Sequence, residues 1–572
     1  MVVLPDHWIT DTETGSRFPS FDRHGARDIA CGPITPLGWG LGWEQGALLG
    51  AAQGYVDVGA LDREEFQRTP PEVFGCWGGF LYTQVSLPAL LAARMPPGPG
   101  HRPGADADAS PTHTARLAET IEFVLSGKAY RRISDGVLAA AQARRARVDF
   151  AGVPDHGLLW RVREMIWIVS ELWVPYTEAT VAAAYAADAV TAVCTGLGRA
   201  DDAVRLLSGV SDPSSPDPAF ALWDLSRHLR ASHGLSSAFE GPLGTAVMRI
   251  AELGGPSAEE FLAGFADVVE RFAHRGPHEW DLGAPTWSAD PTIPLALLEA
   301  LRHHDDARSP RDGAQRAAED RRRILAELTQ ACPDDDTRRT LERAAAAAAA
   351  WVVGRERIED AVLKVMQEAR VCLRELGRRR AEAGQIEQPG HVFQLLAAEL
   401  DDFVADGSAM GPVLASRDAQ FRLLARLTPP DTVRHGEPVP PLSAWAPATQ
   451  VHLDPAAVGE VLRGTAASPG TVTGRARVVL DPTCPTVLEP GDILISPATG
   501  PSWTPLLLAV AGVISEVGSV TGHPASADRA LGVPCALDVT DACRRIPDGA
   551  LVSLDGAAGT VTVLSVPEER SA

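Results

Sequence analysis

The sequence is short of the residues that staple, anchor or electrify a chain. Its 572 residues include eight cysteines (Cys31, Cys76, Cys194, Cys332, Cys372, Cys484, Cys535 and Cys543), none in a CxxC pair or grouped with histidine at metal-ligand spacing. A disulfide framework or a zinc site is therefore not expected, and no metal is assigned. The opening MVVLPDHWITDTETG has neither a basic start nor a long apolar segment. The apolar runs near Ala344 to Val353 and Leu506 to Ile514 fall short of the roughly 20 residues a membrane helix needs. A cytoplasmic protein without a membrane partner is the expectation. Basic residues are in deficit, 52 against 74 acidic ones for a net charge of -22. That excludes a general nucleic-acid binder, although local basic pockets remain compatible. No glycine-rich phosphate loop precedes a strand-helix unit, so no cofactor is assigned to these residues.

What is present is enough apolar residue, 45% of the chain, for two to four domains. Two Pro/Gly/Asp-rich stretches, near residues 95–111 and 209–218, read as surface loops. Leu158 to Leu197 and Ala314 to Ala331 carry apolar residues at three- and four-residue spacing, which predicts helices. The longest predicted helix runs from near Thr337 to Ala383, with Gly384 as its stop. Thr428 to Pro447 contains too many prolines for a helix and reads as a semi-rigid linker. Beyond it the period shortens to that of strands: Thr471 to Leu480, Gly491 to Ser496, Ala511 to Val517, Val533 to Val539, Leu551 to Gly556 and Gly559 to Leu564. The expected architecture is multidomain. A mainly α-helical body over 1–427 is followed by a linker over 428–455 and a compact α/β domain over 456–566.

The last domain carries an ordered set of motifs: SPG-x-V-x-G-x-A-R-V from Ser468, GDIL from Gly491, the P-S-W-T-P turn from Pro501, AGVISEVGSVTGHPASADRALGVP from Ala511, and DG-x-x-G-x-V from Asp555. It resembles the mobile, swivelling phosphohistidine domain of the phosphoenolpyruvate-utilising enzymes. In that family a histidine after a Gly-Gly turn carries the phosphoryl group, and His523 falls at its place. A neutral imidazole is a nucleophile near pH 7 and divides one transfer into two. The sequence departs from the family at Ser519 (second turn glycine), Gly522 (usually a hydroxyl or thiol residue) and Pro524.

In the body the resemblance narrows to the substrate-binding part of rifampicin phosphotransferase and its relatives. Gly32 to Gly38 (GPITPLG), Phe74 to Tyr82 (FGCWGGFLY), Phe272 to Leu282 (FAHRGPHEWDL) and the long helix through Glu375-Leu376-Gly377 follow its motifs in order. The resemblance places Arg355 and Glu356 on the family's Arg-Glu pair. Glu359 stands where the family commonly has lysine. His274 and Glu279 are candidates for acid-base work, and Arg275 for binding phosphate. Trp39 and Trp77 are candidate pocket walls, with Trp43 and Trp351.

Relatives of full length also have an ATP-grasp nucleotide-binding domain, to which nothing here corresponds. The expectation is therefore one component of a split phosphotransferase. A separate ATP-grasp partner, supplying ATP and Mg, would phosphorylate His523, and the phosphoryl group would pass to a hydroxyl of a small molecule. Phosphorylation would end the reaction or activate that hydroxyl for elimination. Two other readings stand beside it: an ATP-independent dehydratase or lyase of a hydroxylated secondary metabolite, and a non-catalytic binding subunit.

Overall fold

The longest elements form where apolar residues repeat at helical period. The computed structural model describes residues 3–96, 110–126, 152–210, 217–306, 309–447, 453–480, 488–489, 491–499, 503–507, 509–518, 525, 528–529 and 531–567. One helix runs over Asp155–Gly196 and another over Asp335–Glu382, 42 and 48 residues long. The second ends as its sequence predicts. Gly384 adopts φ +70°, and the amides of Gly384 and Gln385 turn back to the carbonyls of Ala381 and Arg380. The predicted helix at Ala314 to Ala331 forms over Pro310–Ala331, capped by the Ser309 hydroxyl.

The chain folds into two units, neither continuous in sequence. One comprises Met1–Ala186, Trp280–Ala284 and Ala350–His452, and the other Ala187–Glu279, Pro285–Ala349 and Leu453–Ala572. Both long helices contain a point of division, so the helical body contributes to both units.

In the first unit, four short strands, β1 (Ser20–Asp22), β2 (Phe74–Trp77), β3 (Phe80–Gln84) and β4 (Thr432–Arg434), form a sheet in the order β2-β3-β1-β4. The β2-β3 hairpin turns on Gly78 and Gly79, both at positive φ (59° and 78°), which a two-residue turn of this hand requires. β4 lies within the proline-rich segment expected to be a linker: Thr432–Arg434 pairs antiparallel with β1. Prolines flank these three residues without occupying them, so their amides remain available to an edge pairing.

The same unit contains a close helix-helix approach. Gly46, Gly50 and Gly54 recur every fourth residue along Gly38–Leu48, wound as a π-helix, and the α-helix Leu49–Asp57. A Cβ at these positions would stand 2.9 Å from Val169 Cγ1, 2.2 Å from the Ser170 carbonyl oxygen and 2.7 Å from Thr177 Cβ. Only glycine permits this approach to the Asp155–Gly196 helix. That helix is long and apolar enough to cross a membrane by length and composition, but half of its most apolar stretch is buried inside the protein.

In the second unit, β5 (Val461–Arg463), β6 (Thr465–Ser468), β7 (Thr471–Val478), β8 (Ile493–Ser496), β9 (Gly512–Ser515), β10 (Cys535–Leu537), β11 (Leu551–Asp555) and β12 (Thr560–Ser565) form one sheet. Its order is β5-β12-β11-β7-β8-β9-β10-β6. β7 to β10 run parallel and the flanking pairs antiparallel. Side chains alternate between two cores. Ile493, Ile495, Ile514 and Ala536 join Val552, Leu554 and Val561, whereas Leu494, Val513 and Cys535 face the other way. This second face shares one apolar core with Trp503 and Leu507 and with the helices Pro218–Ala231, Pro256–Arg271 and Thr292–Arg302. Arg529 fastens the same junction, donating from Nε to the Leu207 carbonyl and from Nη1 to that of Ala467, both at 3.1 Å. The C-terminal domain is thus seated on helices from the middle of the chain.

Leu298, fully buried in this shared core, is where the seating is tested. Leu298→Ala should lower stability by about 2–5 kcal/mol. Hydrogen exchange should rise together in Thr292–Arg302 and in β8 and β9; a rise confined to the helix would show that the two parts do not share a core.

Candidate functional site

The glycine stripe brings Trp43 against the Asp155–Gly196 helix, and an aromatic cluster forms around it. Trp43 meets Trp39 (6.5 Å between centroids), Phe74 (5.2 Å), Trp173 (6.0 Å) and Trp280 (6.3 Å). Tyr176 completes it, 4.9 Å from Trp173 and 6.0 Å from Trp280. Trp39 therefore belongs to this cluster. Trp77, its companion in the sequence reading, instead packs on Phe21 and Tyr82 in the core of the four-stranded sheet.

The helix Asp335–Glu382 supplies the charged side chains of the same unit. Arg355 and Glu359 are 4% and 5% exposed, a degree of burial that charged groups tolerate only with partners. Glu356 is half-buried, with its Oε1 3.9 Å from Arg355 Nη2. The phenol of Tyr176 donates to Glu359. Burial pushes this phenol far above its usual range, and the negative charge of Glu359 adds to the effect. Tyr176 was not singled out by sequence reasoning. Its only signal was its place on the apolar face of a predicted helix.

About three turns further along from Glu359, Arg370 is fully buried and fixes the end of the FAHRGPHEWDL motif. It donates to the carbonyls of Asp281 (2.9 Å) and Leu282 (3.1 Å) and to Gln367 (2.7 Å). Burial raises the Asp281 carboxyl above the usual carboxylate range, opposed by the Thr35 hydroxyl, which donates to it at 2.6 Å. The GPITPLG and HEWDL motifs are thereby joined in one buried contact.

The start of that motif belongs to the second unit. His274 and Glu279 are each 2% exposed, and Arg275 donates from Nη1 to Glu279 Oε1 at 3.2 Å. Asp217, the cap of helix Pro218–Ala231, is pushed up by burial and drawn down by its own backbone donors and by the charge of Arg275. The unit boundary falls between Glu279 and Trp280. His274, Arg275 and Glu279 thus form one set, and Arg355, Glu356 and Glu359 another.

In the C-terminal domain His523 lies outside the described residues, as do its neighbours Ser519, Gly522 and Pro524. The scaffold of its segment is described. Arg475 holds Asp492 through two parallel bonds (2.9 and 3.0 Å), tying β7 to the GDIL turn. Ser496 and Ser515 end the parallel strands β8 and β9, paired in register, and with Thr499 they bury hydroxyls that have no hydrogen-bond partner among the described residues. Open sheets with parallel strands place ligand sites at these carboxyl ends. Asp528 is fully buried beside the Cys535 thiol, and burial pushes its carboxyl up to about 7.

Among the described residues one cluster has the ligand types for a metal: Asp62, Glu65 and His113. Its carboxylates already bind the guanidiniums of Arg17 and Arg94 (2.8 Å each) and Arg116 (2.7 Å).

Two stretches of the chain match models of known families. Residues 176–356 match the fourth domain of rifampicin phosphotransferase, and residues 488–559 match the mobile domain of phosphoenolpyruvate-utilising enzymes. The chain is thus similar over its middle to a region of rifampicin phosphotransferase and over its C-terminal part to the mobile domain. Among its relatives are an uncharacterised protein of Mycobacterium tuberculosis (31% identical over 312 residues, 54% of this chain and 32% of that protein). A rifampicin phosphotransferase of Streptomyces sviceus is 30% identical over 318 residues, 54% of this chain and 35% of that enzyme. A prodigiosin synthesizing transferase of Serratia marcescens is 27% identical over 306 residues, 52% and 33% of the two chains. The chain spans about a third of the length of these curated relatives.

Asp528 gives this domain a pH dependence of definite sign. The folded form keeps the proton up to about pH 7, whereas the unfolded form loses it near 3.8. Its contribution to stability should therefore fall as pH rises from about 4 to 7 and stay flat above, a change on the order of a few kcal/mol. Asp528→Asn should remove this slope and raise the melting temperature at pH 8. A wild-type and variant difference independent of pH would contradict it.

Proposed function

We propose that this chain is the acceptor-binding and phosphocarrier component of a phosphotransferase. A separate ATP-grasp protein, using ATP and Mg, loads His523, and the phosphoryl group then passes to a hydroxyl of a small molecule held in the helical body. The observation that carries this reading is the order of parts: a rifampicin-phosphotransferase-type region ending at residue 356, on the Arg355-Glu356 pair, followed by a mobile domain that contains position 523. In the transfer, the acceptor O–H gives up its proton, an O–P bond forms and the N–P bond to His523 breaks, the imidazole nitrogen keeping the electron pair. Arg355 neutralises phosphoryl oxygens, and Glu359 takes the proton. Glu356 orients the polar groups beside Arg355, while Arg275, His274 and Glu279 form a separate polar set in the second unit. Trp39 and its aromatic neighbours favour a bulky, partly apolar acceptor.

Glu359 also supports a second reading. A buried carboxylate beside a phenol could remove a proton from a hydroxylated substrate and return it to a leaving hydroxyl, a dehydratase that needs no ATP.

Incubation with γ-labelled ATP, alone and with an ATP-grasp protein encoded beside it, separates the two. Label on the wild type with the partner, absent in His523→Ala, is expected. Substrate turnover without label or nucleotide would replace the first reading by the second. Neither label nor turnover would leave a binding subunit.

A further inference from the structure

We infer that the outer face of the Asp155–Gly196 helix, from His156 to Glu171, is a surface on which two copies of this chain associate, the paired helices running antiparallel about a two-fold axis. Of the thirteen tryptophans, eleven are buried. The other two, Trp160 and Trp167, are 68% and 69% exposed, and both stand on this one face. Seven residues make two helical turns, so the rings lie on one stripe about 10 Å apart along the axis. The other sides of the helix are fixed within its own unit. Val169, Ser170 and Thr177 meet Gly46, Gly50 and Gly54, and Asp155 pairs with Arg379 and Arg380 at 2.8 Å. The stripe is thus presented by an element already in place, so covering its rings requires little further ordering.

The charges between the rings select the occupant. The exposed residues of the stripe run His156, Trp160, Arg163, Glu164, Trp167 and Glu171. In an antiparallel pair whose axis passes between Arg163 and Glu164, positions equally distant from that point face each other. Trp160 of one copy then meets Trp167 of the other, Arg163 meets Glu164, and His156 meets Glu171. Each contact occurs twice, as a two-fold interface demands, and each sets ring against ring or basic against acidic. Within the chain Arg163 also pairs with Asp401 (2.5 Å) and Glu164 with Arg161 (3.0 Å). Asp401 and Glu164 are at least half exposed, and ion pairs so placed are exchanged at little cost. A bilayer fits this face less well: the chain carries a net charge of -22, and Glu164 and Glu171 would enter the headgroup layer with the rings. The stripe is about 24 Å long, which gives a small interface and association in the micromolar range.

The test measures the mass of the full chain by sedimentation over about 1 to 100 µM. Wild type should move from 60.6 kDa toward twice that mass. The double variant Trp160→Gln, Trp167→Gln should associate about tenfold more weakly or worse, with a melting temperature within a few degrees of wild type because both rings are exposed. Arg163→Glu alone and Glu164→Arg alone each set like charges opposite one another and should weaken association about tenfold. Mixed one to one, these two variants bring opposite charges together at both contacts and should associate within about threefold of wild type. A wild type that stays monomeric at about 100 µM, an association that the tryptophan changes leave intact, or a mixture no tighter than either variant alone would overturn the inference. So would a monomeric wild type that co-sediments with phosphatidylcholine–phosphatidylserine vesicles, since the face would then be a membrane surface. Should the tryptophan variant fail to fold, the mixture of charge variants decides alone.

Discussion

The contact between Gly46, Gly50 and Gly54 and the helix Asp155–Gly196 sets the geometry of the first unit. With no side chain at these positions, backbone meets backbone, and Trp43 descends onto Trp173 and Trp280. Each aromatic pair adds about 0.5–1.5 kcal/mol beyond its buried area, and the pairs share rings, so displacing one disturbs the rest. Tyr176 is held by this cluster. A constraint written in three glycines thus reaches the ring of Tyr176.

The second unit depends on a sheet with two apolar faces. One is covered by the domain's own strands, and the other by helices that precede it in sequence by more than 150 residues. Uncovering the second face would expose Leu494, Val513, Trp503 and Leu507 to water together, at about 25 cal/mol for each Å² of apolar surface. Movement of the domain in this seated state has to carry the helices with it or give up that burial. The buried Asp528, next in sequence to the Arg529 fastening, places an ionisable group at the same junction.

Much of this was legible in the sequence. Helical period located both long helices to within a few residues, and the alternation after residue 470 located six of the eight strands of the large sheet. The small sheet escaped because its strands are three to five residues long, below the length at which alternation is readable. Its one local sign was the Gly78-Gly79 pair between two runs rich in aromatic residues, a hairpin signal that the motif reading treated only as a glycine-rich segment. The proline-rich segment was read from composition alone, which cannot reveal that three residues between prolines lie on a sheet edge.

The sequence by itself determined the family relationship, the helical and strand-rich regions, and the candidate residues Arg355, Glu356, Glu359, His274, Arg275, Glu279 and His523. These depend on residue type and local spacing, which a linear reading keeps. Only the tertiary structure decided that Trp39 joins Tyr176 while Trp77 does not, that Arg370 secures the HEWDL carbonyls, and that the C-terminal domain rests on mid-chain helices. Each of these is a contact between residues far apart in the chain. Its existence follows from which apolar faces must be buried together and which buried polar groups need partners, and neither condition is local.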